Sequence, residues 1–409
     1  MNKRKKHHND GSLKGIAIVT YPFSDNVGKV LLGNFIKVME PIAPYLLIIT
    51  GDYENPLHDK DIIRINPARS KFLLYRFAKQ FKTQIEVSLQ IYRARDRIDV
   101  VVFFIGAGLT IPVILTKMIG KRSIAILTGM GSKKQIRAAW GAHGLSGFGE
   151  VIRLGVSEML ERISYYMSTD LAVYSRSIVK QLNLERYGNK VSIIPEHLVN
   201  FQSFVPADNG HTKSNVIGFV GRLSEEKGVL NFVRAIPIIL GKMKDASFMI
   251  IGEGALKETI NELIRENHLE ERVTLTGWIP HDELPGYIQK MGLIILPSYT
   301  EGLPNVMLEA MACGTPILVT AVGAVPDFIV EGKTGFILKD NSPEIIAAQS
   351  IEILNSTNLS EIVLNAQKTV REEFSHERVF TRWRCLLEKG LKNSNYATSH
   401  DERLRDNAE

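Results

Sequence analysis

The chain has 409 residues, 44% of them apolar and 23% charged, which implies two or three domains and excludes bulk disorder or a long coiled coil. A net charge of +6 over that length permits an anionic lipid or substrate without calling for nucleic acid. Two cysteines, Cys313 and Cys385, make neither a disulfide framework nor a zinc pattern, so a reducing, cytoplasmic compartment is expected.

Residues 1–14 read as a solvated basic tail. Lys3-Arg4-Lys5-Lys6 is followed by no apolar region, so it is not a secretory signal, although such a tail also suits an anionic membrane surface. No apolar run reaches the ~18 residues that a membrane span needs. A first buried strand is expected at 15–20, then loop chemistry and a helix start over Tyr21 to Gly33, with Gly28 and Gly33 inside it. Leu46 to Thr50 is a second strand, and 51–70 reads as a polar loop. Asp59-Lys60-Asp61 in that loop resembles a paired-aspartate metal motif only superficially, since no apolar strand leads into it. From Phe72 to Arg97 there is no Gly or Pro, and the apolar spacing is helical. Arg76, Lys79, Lys82, Arg93, Arg95 and Arg97 share that stretch, with Lys71 just before it. Such a helix either packs in a core with a solvated face or lies on a membrane.

Strands are expected at 99–105, 123–127, 171–174 and 191–195, with helices at 111–119 and 157–167. Another opens at Ser175, a plausible N-cap. Strands alternating with helices give a parallel sheet covered on both faces. Residues 206–215, polar with Pro and Gly nearby, are the expected linker. A second alternating half follows, with strands at 216–220, 247–251, 273–276, 293–296, 317–319 and 335–338. The expected domains are 15–205 and 216–374. A final helix over 375–392 is expected to return to the first lobe, and 393–409 to be a disordered tail. The fold class is α/β, two Rossmann-like doubly wound lobes facing across a cleft.

In open parallel sheets, ligands bind beyond the carboxyl ends of strands. Strand 216–220 ends in Gly221-Arg222-Leu223-Ser224-Glu225-Glu226-Lys227-Gly228. Two cations there suit a diphosphate, Arg222 as a bidentate fork and Lys227 as a point charge; pairing with Glu225 and Glu226 is the plain alternative. Strand 247–251 ends in Gly252-Glu253-Gly254, but Lys257 stands where a dinucleotide fingerprint has its third glycine. Strand 293–296 ends in Pro297-Ser298-Tyr299-Thr300-Glu301-Gly302-Leu303-Pro304-Asn305. A helix follows, with Pro304 suited to its first turn, Glu309 more than one turn in and Gly314 at its stop. The N–H groups within Gly302 to Asn305, Pro304 having none, offer an anion site beside two carboxylates. A ligand part anionic and part polyol, such as a nucleotide sugar, matches that combination.

Over 216–340 these words, with Gly277-Trp278-Ile279-Pro280, Gly323-Ala324-Val325-Pro326-Asp327 and Gly332-Lys333-Thr334-Gly335-Phe336, run in a familiar order. They resemble the C-terminal lobe of the retaining glycosyltransferases that share the two-lobed GT-B fold. The glycogen synthase-like, sucrose synthase-like and phosphatidylinositol mannosyltransferase-like members are nearest in pattern. The resemblance implies that Arg222, Lys227 and Glu301 are catalytic. The two cations would hold the donor diphosphate, and Glu301, with the Gly302-Leu303-Pro304-Asn305 segment and its N–H groups at Gly302, Leu303 and Asn305, the sugar and phosphate. Glu309 would bind the ribose hydroxyls. Gly221, Gly252, Glu253, Gly254, Trp278 and Ile279 would border the nucleotide, and Gly28 would be the first lobe's contribution. No metal or cofactor is implied, because preorganised cations and N–H groups stabilise the leaving group.

The first half resembles the family loosely. Thr128-Gly129 stand where the family often has a sugar-contacting histidine, which leaves His143 and His197 as substitutes, each better read as structural or exposed. Pro195-Glu196-His197-Leu198-Val199-Asn200 replaces the usual Pro-Asn-Gly-Val-Asp, and Asp327 a more usual glutamate. The expected function is retaining transfer of a sugar from a nucleotide-diphosphate sugar to a glycan or lipid-linked acceptor, with peripheral contact to an anionic membrane. A sugar-nucleotide epimerase or hydrolase on the same fold, and a non-catalytic donor-binding subunit, are the rival readings.

Overall fold

The computed structural model describes residues 13–20, 26–51, 61–65, 73–104, 108–127, 148–195, 197–207 and 214–389. The basic tail, Asp59-Lys60, Thr128-Gly129, His143, most of the expected linker and the tail after 392 lie outside those residues.

The first sheet contains β1 (Ile16–Thr20), β2 (Leu46–Thr50), β3 (Ile62–Arg64), β4 (Val100–Phe104), β5 (Arg122–Leu127), β6 (Asp170–Val173) and β7 (Val191–Ile193). Its order is β3-β2-β1-β4-β5-β6-β7, with β1 paired in parallel to both β2 and β4. The helices of this half are α1 (Asn26–Met39), α2 (Leu73–Ala94), α3 (Thr110–Met118), α4 (Phe148–Met167) and α5 (Arg176–Gln181). Every residue of β1, β2 and β4 is buried, as continuous apolar runs in a parallel sheet require. The polar segment 51–70 hides one strand: Ile62, Ile63 and Arg64 pair with Ile48, Ile49 and Thr50. Three residues at a sheet edge carry too little periodicity to be read. Helix α1 begins earlier than expected and takes in Gly28 as its third residue. Each glycine costs about 1 kcal/mol in a helix, and the apolar row Leu32, Phe35, Ile36 and Met39, all buried, outweighs it.

Helix α2 forms as expected but turns an unexpected side inward. Val87, Ile91 and Ala94 are buried against β1, β2 and β4, and so are Thr83, Gln84 and Ser88. Gln84 Oε1 accepts from the Ile111 N–H at 3.0 Å, satisfying a donor in the first turn of α3. Tyr45, at the start of β2, donates its hydroxyl to Asp61 at 2.7 Å; burial and that carboxylate push the phenol up to about 12.

The second sheet contains β8 (Val216–Val220), β9 (Ser247–Ile251), β10 (Val273–Gly277), β11 (Leu293–Leu296), β12 (Ile317–Thr320) and β13 (Phe336–Leu338). Its order is β10-β9-β8-β11-β12-β13, and all its pairs are parallel. Its helices are α6 (Val229–Leu240), α7 (Lys257–Glu266), α8 (Leu284–Ile288), α9 (Asn305–Cys313), α10 (Pro343–Leu354) and α11 (Leu359–Phe374). Phe219, Phe232 and Phe248 anchor its core with Ile250, Ile295 and Leu318. Strand order reverses at β8, which has β9 on one side and β11 on the other. The crevice beyond such a reversal is where α/β sheets bind ligands.

The chain ends in α12 (His376–Glu388). By contact the described residues form two compact units. One comprises those within Met1–Ile126, Ser164–Asp170 and Phe380–Glu409, the other those within Leu127–Ile163 and Leu171–Val379. In the first unit the fully buried Trp383 meets Phe35 edge-on, with ring centroids 4.9 Å apart. Arg122 donates to the Leu387 and Leu386 carbonyls at 2.7 and 3.2 Å and to Asp170 at 2.8 Å, closing the C-terminal end of α12.

Candidate functional site

Two loops leave the carboxyl ends of the strands beside the reversal, 221–228 after β8 and 297–304 after β11. A third, 252–256 after β9, lies against the first: the Leu223 N–H donates to the Glu253 carbonyl at 2.9 Å. Gly252 has φ +143, and a Cβ there would fall 1.9 Å from the Gly221 carbonyl oxygen, so no side chain fits between these loops. The loop after β12 closes on the 297–304 loop in the same way. Gly323 has φ +61, a Cβ on it would lie 2.3 Å from the Glu301 carbonyl, and the Ala324 N–H donates to Gly302 at 2.8 Å.

Packing brings Lys227 to Glu301. The ammonium lies 2.6 and 2.8 Å from the two carboxylate oxygens, and Ser298 Oγ donates to Oε1 at 2.7 Å. Glu301 is buried and Lys227 about a quarter exposed. The alternative of Lys227 pairing with its neighbours Glu225 or Glu226 is therefore not what the fold adopts. Arg222 does take that course in part: its guanidinium is 3.7 Å from Glu226 and more than half exposed. Ser298 is itself fixed by Thr320, whose hydroxyl donates to the Ser298 carbonyl at 2.5 Å.

Helix α9 starts at Asn305. Pro304 is its N-cap, with extended ψ of 117°, one position before the first turn in which it was expected. Gly314 ends the helix in the left-handed region, as expected. Leu303 and Pro304 are buried, while Gly302 and Asn305 are half-buried. Glu309 is buried and accepts from His281 Nε2 at 2.8 Å. That hydrogen bond raises the His281 pKa against the opposing effect of burial. Cys313, one turn on, is pushed up to about 12 by burial and then by Glu309. His281 follows Pro280 in the loop after β10, and its ring lies 5.2 Å from that of Phe204.

Glu253 is held by Lys257 at 2.7 Å, so the residue that breaks the dinucleotide fingerprint serves as its partner. Trp278 is exposed and Ile279 half-buried beside it. Gly28 lies in the first compact unit; the other candidate residues lie in the second.

His197 is buried, not exposed. Its ring meets Tyr174 edge-on at 5.2 Å and hydrogen-bonds the Leu303 backbone. Burial lowers its pKa to about 4, so it stays neutral near pH 7. Asp327 is occupied elsewhere: it accepts from the Ser177 N–H at 3.0 Å and from the Ser177 hydroxyl, capping the first turn of α5. Reading the chain alone missed His281 and Ser298, although Ser298 stands within the motif and His281 directly after Gly277-Trp278-Ile279-Pro280. Among the described residues no three His, Cys, Asp or Glu side chains are grouped to hold a metal ion.

Two parallel doubly wound sheets, with a lysine–glutamate pair at the reversal of the second, were compared with known proteins. Residues 202–369 match the family Glycosyl transferases group 1. A capsular polysaccharide biosynthesis glycosyltransferase, CapM of Staphylococcus aureus, is 27% identical over 58% of this chain and 66% of its own length. A putative colanic acid biosynthesis glycosyltransferase, WcaL of Salmonella typhimurium, is 25% identical over 41% of this chain and 44% of its own. The chain thus matches less than two thirds of the length of these curated relatives. Among solved structures, Anabaena Alr3699/HepE in complex with UDP superposes with a TM-score of 0.71 at 14% identity, over 92% of this chain and 100% of that one. That likeness establishes the shared GT-B fold.

Proposed function

We propose that the protein is a retaining glycosyltransferase. It moves a sugar from a nucleotide-diphosphate sugar to a hydroxyl of a glycan or lipid-linked acceptor in cell-surface polysaccharide synthesis. It works without a metal, as a peripheral enzyme at the cytoplasmic face of a membrane. The names of the relatives, for capsular polysaccharide and colanic acid, support the polysaccharide setting. The observation that carries the chemistry is the doubly bonded Lys227–Glu301 pair at the reversal of the second sheet.

An ammonium has three N–H donors, and the two Glu301 oxygens engage two of them. The third is available for a diphosphate oxygen, to which Arg222 adds a planar fork. Glu301, fixed by Lys227 and Ser298, keeps lone pairs for sugar hydroxyls, and the N–H groups that open α9 stabilise the phosphate. Glu309 takes the ribose diol. In transfer, the bond from the anomeric carbon to the diphosphate oxygen breaks as the acceptor oxygen bonds on the same face. The acceptor's proton passes to the departing phosphate oxygen. Charge grows on the diphosphate, where a preorganised donor contributes about 3 kcal/mol of barrier lowering.

The test is a panel of nucleotide sugars with glycan and lipid-linked acceptors, scored for nucleoside diphosphate release and product anomeric configuration. Acceptor-dependent release with retention, unaffected by EDTA, is expected. Full turnover by the Arg222→Ala/Lys227→Ala double variant would overturn the diphosphate assignment, and inverted product would overturn retention.

A further inference from the structure

Over its described side chains helix α2 presents a continuous apolar stripe to solvent while burying Thr83, Gln84 and Ser88. Successive helical residues are about 100° apart, so Phe81, Ile85, Leu89 and Tyr92 fall within an arc of about 80°. They are 59%, 38%, 49% and 47% exposed. The rest of the circumference buries Thr83 and Gln84 beside Val87, Ile91 and Ala94, and Ser88 is buried at the edge of the stripe. A helix that hides hydroxyls and an amide while presenting Phe, Ile, Leu and Tyr to water has its apolar stripe reserved for something else. Along one border of the stripe run Lys79, Lys82 and Arg93. Arg95 lies over the Tyr92 ring at 4.3 Å. Glu86, 3.7 Å from Lys82, and Asp96, 3.6 Å from Arg95, are the carboxylates on this stretch. From Lys79 to Arg97 there are five cations against those two.

We propose that this stripe is the surface by which the protein rests on an anionic membrane, with α2 in the interfacial plane. This deepens the peripheral-membrane part of the proposed function and stands on the helix alone. Phe81, Ile85, Leu89 and Tyr92 enter the headgroup–acyl boundary, and the lysine and arginine stems lie beside them with their charges toward lipid phosphates. A second copy of the chain fits less well. Across a two-fold axis the same cations would face one another. The stripe also exposes roughly 400 Å², against the ~800 Å² per partner of a stable interface. Two further apolar side chains of the same unit are exposed near the ends of α3 and α4: Met118, and Tyr166, whose ring has Lys117 5.8 Å away.

The test is sedimentation of the full-length protein with phosphatidylcholine vesicles, with and without phosphatidylglycerol, in the absence of any nucleotide sugar. Binding to the anionic vesicles alone, weakening with salt, is expected. Phe81→Ser/Leu89→Ser should abolish it at unchanged melting temperature. Replacing Lys79, Lys82 and Arg93 with Gln should weaken it roughly a hundred-fold. A Tyr92→Trp variant should gain a blue shift in emission on anionic vesicles, a readout that does not depend on the Ser variants folding. Equal sedimentation of wild type and both sets of variants, no binding to anionic vesicles, or a dimer in solution that Phe81→Ser/Leu89→Ser breaks would each overturn the proposal. Turnover on soluble and lipid-linked acceptors is assayed separately, so vesicle binding and sugar transfer fail independently.

Discussion

Lys227 and Glu301 stand 74 residues apart in sequence and are joined by two hydrogen bonds of 2.6 and 2.8 Å. Each is anchored by the loop it comes from: the Tyr299 N–H donates to the Glu226 carbonyl at 2.9 Å, tying the two loops directly. If Lys227 holds the donor diphosphate as proposed, Lys227→Ala removes a donor aimed at developing charge, and kcat should fall about a hundred-fold or more. Lys227→Arg keeps the charge and a bidentate fork and should recover part of that loss. Glu301→Gln preserves shape but ends the ion pair. It should lower kcat with a smaller change in nucleoside diphosphate affinity measured calorimetrically. Equal kcat in Glu301→Gln and wild type would remove Glu301 from the catalytic set.

His281 gives Glu309 a hydrogen bond that no motif announces. If Glu309 accepts ribose hydroxyls, His281 holds its carboxylate in place, and His281→Ala should weaken nucleotide affinity more than kcat. His281→Asn, which retains a donor, should restore part of it. The pH dependence has a definite sign. The folded-state pKa is raised, first by the Glu309 bond. The pair's contribution to stability is therefore full below the unfolded value near 6.5 and is lost as pH rises through the raised value. The melting-temperature difference between wild type and His281→Ala should accordingly shrink from pH 6 upward.

The strands that carry the site were readable almost to the residue. Val216–Val220, Ser247–Ile251 and Leu293–Leu296 are unbroken or nearly unbroken apolar runs halted by glycine or proline, and the structure keeps those bounds. The pairing of Lys227 with Glu301 was not readable, because loop tips meet only once strand order is known, and β8 lies between β9 and β11 in space alone. Helix α2 shows the same limit in another form. Its sequence holds two apolar rows, one with Val87 and Ile91 and one with Phe81, Ile85 and Leu89. Periodicity cannot say which row faces the sheet when Gln84 must also reach the first turn of α3.

His197 gives the opposite pH signature from His281. Burial lowers its pKa to about 4, so the folded state refuses a proton that the unfolded chain accepts near 6.5. Its stabilising effect is present above pH 6.5 and is lost as pH falls toward 4, in total roughly 3 kcal/mol. His197→Leu removes that titration, so its urea midpoint should change less than that of wild type between pH 6.5 and 4. It also removes the hydrogen bond to the Leu303 backbone, which should loosen the loop bearing Glu301 and weaken donor binding at pH 7.5. An unchanged acid response would mean that His197 is more accessible than its burial implies.

Trp383 tests whether the last helix is part of the first unit's core. Its indole is fully buried against Phe35, whose ring meets that of Phe104 on β4 at 4.9 Å. Trp383→Ala should cost about 3–5 kcal/mol, the usual range for deleting a buried large aromatic. Arg122→Ala acts at the other end of the same contact. It leaves the mostly buried Asp170 carboxylate without its guanidinium and the Leu386 and Leu387 carbonyls without their donor, a loss of roughly 2–3 kcal/mol. Hydrogen exchange locates the effect. Amides of β1, β4 and α1 should lose protection in both variants while those of β8 and β9 keep theirs. Equal loss in both sets would mean that the two units unfold as one, and protection kept in β1 and β4 would mean that α12 is only laid over the core it touches.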